Sequence, residues 1–102
     1  MTLSLQVIYP IKDDTHFDMD YYLSTHDALV QEHMGAHIAT TQVCKGLAGG
    51  PDTPPPFYAI FTATFTDQAA MDAALAGSGP VLADISNFTN TQPMMLMGEV
   101  MT

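Results

Sequence analysis

Positively charged residues are almost absent from this sequence. Lys12 and Lys45 are its only basic side chains apart from histidine, and eleven acidic residues bring the net charge of the 102-residue chain to −9. Proteins that bind nucleic acid neutralise several phosphates with lysine and arginine, and anionic membranes attract clusters of the same residues. We therefore expect neither nucleic acid nor a membrane as a partner, and no substrate that carries several phosphates.

Cysteine and long apolar runs are also scarce. Cys44 is the only cysteine, so no intrachain disulfide can form, which fits a reducing compartment. The first ten residues carry no positive charge, and Gln6 interrupts their apolar run, so we expect no signal peptide. No stretch approaches the roughly 20 apolar residues of a membrane span. These features favour a cytoplasmic location.

Charged residues of both signs make up only 13% of the chain, whereas the hydrophobic fraction is 47%. Globular domains average about 25% charged residues. The length fits one domain, residues 1–102. A small isolated domain with so few charges would leave much uncharged surface in water, so we expect another chain to cover part of it.

Hydrophobic periodicity divides the chain into four strands and two helical regions. Asp18 and Asp67 are good helix N-caps, and Gly35 and Gly77 are typical helix stops. The predicted elements are a strand over 3–9, a helix from Asp18 to about His33, strands over 36–45 and 57–65, a helix over 67–76 that resumes in 78–88, and a strand over 92–101. This βαββαβ order predicts an α+β, ferredoxin-like split fold, in which a four-stranded antiparallel sheet carries two main helices on one face.

The sheet face without helices is predicted to be largely apolar. Its candidates include members of the methionine-rich last strand. Such a patch, left uncovered, would exceed what a monomer usually exposes. Two sheets packed face to face would cover it and enclose a cavity, so the pattern predicts a two-fold homodimer.

His26 is the first candidate for chemistry. It lies within the apolar stripe of the first helix, formed by Met19, Tyr22, Leu23, Leu29, Val30 and His33. A buried imidazole needs a hydrogen-bond partner, and a neutral histidine in apolar surroundings can act as a general base near pH 7. A structural histidine that anchors the helix to a backbone carbonyl is the alternative.

Tyrosine and methionine residues could complete a site around His26. Tyr22 lies one helical turn before His26 and is a candidate for its hydrogen-bond partner. Tyr9 ends the first strand, where a cleft could open. Methionines of the last strand could either fill the core or line the site of a small apolar ligand. We therefore name His26 and Tyr22 as catalytic candidates, and Tyr9, Tyr58, Met95 and Met97 as ligand-binding candidates.

Metal and cofactor motifs are weak or absent. His33 and His37 are four residues apart, but Gly35 between them is a helix stop, so we do not expect one helix to carry both. The chain contains no GxGxxG, P-loop, GxSxG or CxxC motif. We expect no metal and no other cofactor.

The string FDMDYYLSTHDALVQEHMG, together with Tyr9-Pro10 and the later segments FYAIFTATFTD and NTQPMMLMGEV, resembles the EthD family, which is named for a protein of ethyl tert-butyl ether degradation. The resemblance covers nearly the whole chain. Its most specific part is a tyrosine pair followed by a histidine and Leu-Val, here Tyr21, Tyr22, His26, Leu29 and Val30. It implies a ferredoxin-like dimeric α/β barrel.

One position departs from the family pattern. Family members typically carry proline two residues after the histidine, where this chain has Ala28. Because proline bends a helix, we expect the first helix to be straighter here.

The resemblance and the residues together favour a homodimer that handles a small, mostly apolar organic compound, in or beside its oxidative degradation. His26 would serve as general base or hydrogen-bonding group, and the activity could be linked to an oxidoreductase. Two alternatives stay open. One is a non-catalytic ligand-binding or stress-associated dimer with a structural His26. The other is a cofactor-free isomerase or cyclase, or a haem protein, of the same superfamily.

Overall fold

The computed structural model describes all residues, 1–102, and its four strands form one antiparallel sheet. The strands are β1 (Leu3–Pro10), β2 (Thr40–Lys45), β3 (Phe57–Phe65) and β4 (Met94–Glu99). Their order across the sheet is β2-β3-β1-β4, and every neighbouring pair is antiparallel. The predicted ferredoxin-like α+β fold is confirmed.

The helices begin at the two predicted caps. Asp18 accepts a hydrogen bond from the backbone N–H of Tyr21 (3.1 Å), and Asp67 accepts one from Ala70 (2.8 Å). The first helix covers residues 19–33 in three consecutive parts, α1 (Met19–Tyr21), a π-helical segment (Tyr22–His26) and α2 (Asp27–His33). The second helical region consists of α3 (Gln68–Ala76), α4 (Gly79–Asp84) and a 3-10 turn (Ile85–Asn87).

One face of the sheet and the helices share a single hydrophobic core. Alternate residues of β1 and β3 are buried because successive strand side chains point to opposite faces. The helices close this core from the other side. The buried apolar residues are Leu3, Leu5, Val7, Tyr9, Tyr22, Val30, Met34, Ala59, Phe61, Ala63, Phe65, Met71, Ala74, Val81 and Phe88.

The first helix differs from the regular α-helix that its periodicity predicts. Its buried residues Tyr22, His26, Val30 and Met34 are each four positions apart. In a uniform α-helix, steps of four residues drift by about 40° around the axis. The π-helical segment has wider i→i+5 turns, which reduce this drift over the first step. Leu23 was predicted to face inward, and that prediction is wrong, since the side chain is 53% exposed.

Two other sequence predictions need correction. The second strand, predicted from residue 36, begins only at Thr40, because Gly35–His37 form a 3-10 turn in which the N–H of His37 bonds the carbonyl of Met34. The absence of a proline at Ala28 was expected to leave the first helix straighter. The π-helical segment lies directly before that residue, so the helix is irregular without a proline.

The helix-free face of the sheet is only partly apolar. Cross-strand pairing aligns one apolar row, formed by Cys44, Ile60, Ile8 and Met94. The next row contains Gln42, Thr62 and Gln6 and ends in Leu96, and the third contains Thr40, Thr64, Ser4 and Gly98. The side-chain amide of Gln6 bonds the hydroxyl of Thr62 (3.3 Å). The face that was predicted to be largely apolar therefore has one apolar row beside two mainly polar ones.

The helices of the chain are all too short to span a bilayer with an apolar segment.

Candidate functional site

A cavity of about 190 Å³ lies between the helix-facing side of the sheet and the helices. Most of the side chains around it are apolar. Met95 and Met97 of the edge strand β4 line one side, and Val30 and Val81 line the helical side. His26 also lines the cavity, which makes an imidazole one of few polar groups in an apolar chamber.

Aromatic side chains pack against the buried imidazole of His26. The imidazole is 4% exposed. It stacks on the ring of Tyr22, with the ring centres 5.5 Å apart and the planes inclined by 18°, and its centre lies 4.6 Å from that of Phe88. Tyr22 and His26 are the first and last residues of the π-helical segment. Such segments are frequent at functional sites, and here the segment places both rings on the cavity side.

The hydrogen-bond partner of His26 is Asp84, at the end of α4. The Nδ1 atom of His26 lies 2.9 Å from Oδ2 of Asp84, and both side chains are buried. The other carboxylate oxygen, Oδ1, accepts a hydrogen bond from the Tyr21 hydroxyl (2.6 Å) and one from the Asn87 side-chain amide (2.9 Å). Asp84 therefore receives donors from both helical regions.

These donors keep Asp84 ionised. Burial would raise its pKa, but the hydrogen bonds from Tyr21, Asn87 and His26 outweigh burial and lower the pKa below the ordinary value of 3.8. The hydrogen bond that Tyr21 donates to Asp84 is also the main reason why the pKa of Tyr21 is raised. The Tyr21 hydroxyl therefore stays protonated and remains a donor. An ionised carboxylate only accepts hydrogen bonds. The proton of a neutral His26 must therefore lie on Nδ1, and Nε2 keeps its lone pair.

The Nε2 atom of His26 is open to the cavity. It makes no hydrogen bond within the chain, whereas Nδ1 does. Every side-chain nitrogen or oxygen of the protein that is sealed from solvent has a hydrogen-bond partner. Nε2 is therefore accessible to solvent, and the open space that His26 lines is this cavity. The site presents one oriented hydrogen-bond acceptor and proton acceptor in apolar surroundings.

Two tyrosines line the cavity beside His26. Burial raises the pKa of Tyr9 to about 12, although the neighbouring Tyr22 hydroxyl opposes this rise. Burial, followed by the nearby Tyr9, also raises the pKa of Tyr22. Both hydroxyls remain protonated at neutral pH and can donate hydrogen bonds.

The structure brings most of the sequence-predicted site residues together. His26, Tyr22, Tyr9, Met95 and Met97 all line the same cavity. Tyr22, considered as the hydrogen-bond partner of His26, is a stacking neighbour instead.

Tyr58 lies apart from the other candidates. Its hydroxyl lies 2.7 Å from that of Thr15, and its ring stacks on Phe17. It does not line the cavity around His26.

Asp84 is the residue that the sequence analysis missed, although the sequence contained a signal for it. Asp84 lies three residues after Val81 and four before Phe88, so it falls on the buried stripe of its own helical region. A carboxylate on such a stripe needs a buried partner, just as the imidazole of His26 does.

Metal-binding side chains are not clustered. No group of three or more histidine, cysteine, aspartate or glutamate side chains lies close enough together to hold a metal ion.

Comparison with known proteins places the chain in a family. No protein-family model matches it, and no curated protein matches it. Among solved structures, an EthD-like protein from Ralstonia eutropha JMP134 is 31% identical, with 99% of this chain and 93% of that chain covered and a TM-score of 0.88. An EthD family protein from Bacillus halodurans C-125 is 18% identical (99% and 100% covered, TM-score 0.67).

A more distant similarity concerns the fold alone. The cofactor-independent oxygenase SnoaB from Streptomyces nogalater is 11% identical, with 99% of this chain and 93% of that chain covered and a TM-score of 0.61. The Ralstonia protein is close enough in sequence and coverage to show the family as well as the fold. The chain described here therefore belongs to the EthD-like family.

Proposed function

We propose that this protein binds a small, mostly apolar organic compound in the cavity beside His26, and that His26 accepts a hydrogen bond or a proton from it. The observation that carries this proposal is the arrangement of the imidazole. Asp84 holds Nδ1 at 2.9 Å, while Nε2 has no partner in the chain and lies at an apolar cavity. A buried carboxylate that orients an imidazole through Nδ1 is typical of acid–base sites.

The chemistry available at this site is proton transfer. When the ligand gives a proton to Nε2, its O–H or C–H bond breaks and the electron pair remains on the ligand. The resulting imidazolium is stabilised by the ionised Asp84, which stays a carboxylate throughout. The Tyr9 hydroxyl, which accepts a hydrogen bond from Tyr22, can in turn donate one to the anion that forms. We propose that the compound is handled in or beside its oxidative degradation, as the family name suggests.

We also propose that the protein acts as a homodimer in the cytoplasm. Support for the dimer comes from β4, an edge strand in which Met94, Met95, Leu96 and Met97 are each 47–56% exposed. Four consecutive apolar residues on an unpaired edge are a site for association with another chain. A second copy covering β4 would also close the side of the cavity that Met95 and Met97 line. The exposed thiol of Cys44 suits a reducing compartment.

The binding role is tested with 4-methylphenol, a small compound with one exchangeable proton. Methyl signals of Met95 and Met97 in NMR spectra should shift on titration, because both residues line the cavity. His26→Phe keeps an aromatic ring but removes Nε2, and should weaken binding by about tenfold. His33→Phe, on the same helix but away from the cavity, is the matched control and should leave affinity unchanged.

Two results would contradict the proposal in different ways. If 4-methylphenol at millimolar concentration shifts no signal from the cavity, the binding function is wrong. If His26→Phe binds as tightly as the unmodified protein, the cavity binds ligands but His26 has no role in it.

A further inference from the structure

We infer that the natural ligand of this cavity is a neutral compound with a single ring and a hydroxyl group, for which a phenol is the model, and that carboxylates and other anions are rejected. This inference rests on the proposed function and specifies its substrate class. Size, charge and hydrogen bonding at the cavity each support it independently.

The size of the cavity favours one ring. Its volume is about 190 Å³. An apolar cavity of about 150 Å³ is sufficient to hold benzene, whereas pockets for drug-sized ligands span about 300–1,000 Å³. A ring with one or two small substituents therefore fills this space, and a fused two-ring system would extend beyond it.

The charges around the cavity oppose an anion. Neither Lys12 nor Lys45 lines it, and a half-buried carboxylate, Asp27, does. A protonated His26 would not compensate, because its charge is already paired with Asp84. An anionic ligand would add a second negative charge beside Asp84 in apolar surroundings, which is costly, whereas a neutral ligand that gives its proton to Nε2 leaves the net charge of the site unchanged. The net charge of −9 also disfavours the approach of anions.

The hydrogen-bond geometry requires a donor on the ligand. Asp84 fixes the proton of neutral His26 on Nδ1, so Nε2 can only accept. A ketone, an ether or a hydrocarbon has no O–H or N–H group to donate and would displace water from Nε2 without replacing its hydrogen bond. A site built around a buried acceptor discriminates strongly against ligands that leave the acceptor unpaired. A phenol satisfies Nε2 through its hydroxyl and the apolar walls through its ring.

Four ligands that differ in hydrogen-bond donor, charge or size test this inference on the unmodified protein by calorimetry at pH 7. They are 4-methylphenol, 4-fluorotoluene (in which fluorine replaces the hydroxyl at nearly the same size), 4-methylbenzoate and 2-naphthol. We expect 4-methylphenol to bind at least about tenfold more tightly than each of the others. The fluoro compound tests the need for a donor, the benzoate tests charge, and the naphthol tests size.

The outcomes separate this inference from the proposed function. Equal binding of 4-fluorotoluene and 4-methylphenol would overturn the need for a donor while leaving a cavity that binds apolar compounds. Tighter binding of the benzoate would overturn the argument from charge, and tighter binding of 2-naphthol would overturn the argument from size. If none of the four binds, the proposed function itself is wrong.

Discussion

The Nδ1 atom of His26 lies 2.9 Å from the Oδ2 atom of Asp84, although the two residues are 58 positions apart in the chain. One belongs to the π-helical segment of the first helix and the other to the end of α4. Their contact joins the two helical regions beside the cavity and orients the imidazole.

Replacing Asp84 by asparagine should reverse the tautomer of His26. Tyr21 and Asn87 both donate to Oδ1, so the oxygen of Asn would occupy that position and its NH₂ group would face Nδ1. Nδ1 would then accept, and the proton would move to Nε2. We expect Asp84→Asn to weaken 4-methylphenol binding by about tenfold. The ¹⁵N chemical shifts of the imidazole report the tautomer directly.

The control for this variant is Asp20→Asn, an exposed position on the first helix. It should leave both the ¹⁵N shifts and the affinity unchanged. A protonated Nδ1 that persists in Asp84→Asn would show that Asp84 does not set the tautomer.

Stability should fall in acid through Asp84. Its pKa lies below 3.8 in the folded protein, so between the folded and unfolded values the unfolded chain binds more protons. The stabilisation is present above the unfolded pKa and is lost as pH falls through the folded one. Urea unfolding between pH 3 and 6 should therefore show a smaller loss of stability below about pH 4 in Asp84→Asn than in the unmodified protein. Equal acid sensitivity of the two proteins would contradict this.

Phe88 should be among the residues most important for stability. It is 1% exposed, and its ring centre lies 4.6 Å from that of His26 and 5.1–5.2 Å from those of Tyr22 and Phe17. Phe88→Ala would leave a cavity among these rings and should lower the free energy of unfolding by about 3–5 kcal/mol in urea titrations. Phe57→Ala, at the half-buried start of β3, should cost clearly less. Similar losses for both would contradict the packing described here.

The irregular first helix buries Val30 but leaves Leu23 exposed, whereas regular helical spacing predicts that both face the core. Leu23→Gln should change the free energy of unfolding by no more than about 0.5 kcal/mol, because Leu23 is exposed. Val30→Gln places a polar group in the core and should destabilise the protein strongly. Thermal or urea unfolding measures both. A large loss for Leu23→Gln would mean that Leu23 faces the core, as regular helical spacing predicts.

The proposed dimer is tested at β4. Leu96→Glu places a charge on the exposed edge strand and should convert a dimer to monomers in sedimentation experiments at micromolar concentration. Ala69→Glu adds the same charge on an exposed position of α3 and should leave the dimer intact. An unmodified protein that sediments as a monomer would rule out this assembly.

Local sequence features predicted most of the fold. The caps at Asp18 and Asp67 start both helical regions as expected, and β3 has the predicted bounds. These features depend on contacts within a few residues, such as a carboxylate that accepts a hydrogen bond from an N–H three positions later. They are therefore visible in local sequence patterns. The start of β2 was misplaced because a 3-10 turn follows the helix, where β propensity alone favoured a strand.

The candidate site was predicted only in part, because local patterns do not show which distant residues meet in the folded chain. His26 and Tyr22 could be named because they are polar rings in an apolar helical stripe, Tyr9 because it ends the first strand, and Met95 and Met97 because the last strand is rich in methionine. Tyr58 was the weaker candidate because its face was uncertain, and strand alternation does place it on the face opposite the buried Ala59 and Phe61.

The amino-acid sequence alone established the βαββαβ order, the two helix caps, and an imidazole on the buried face of the first helix. The tertiary structure decided that Asp84 meets His26, that Nε2 is the nitrogen left open to a cavity, and that β4 exposes its methionines at an edge. The physical reason is distance along the chain. Caps and periodicity arise from neighbours within one or two turns, whereas the His26–Asp84 pair exists only once folding brings residues 58 positions apart into contact.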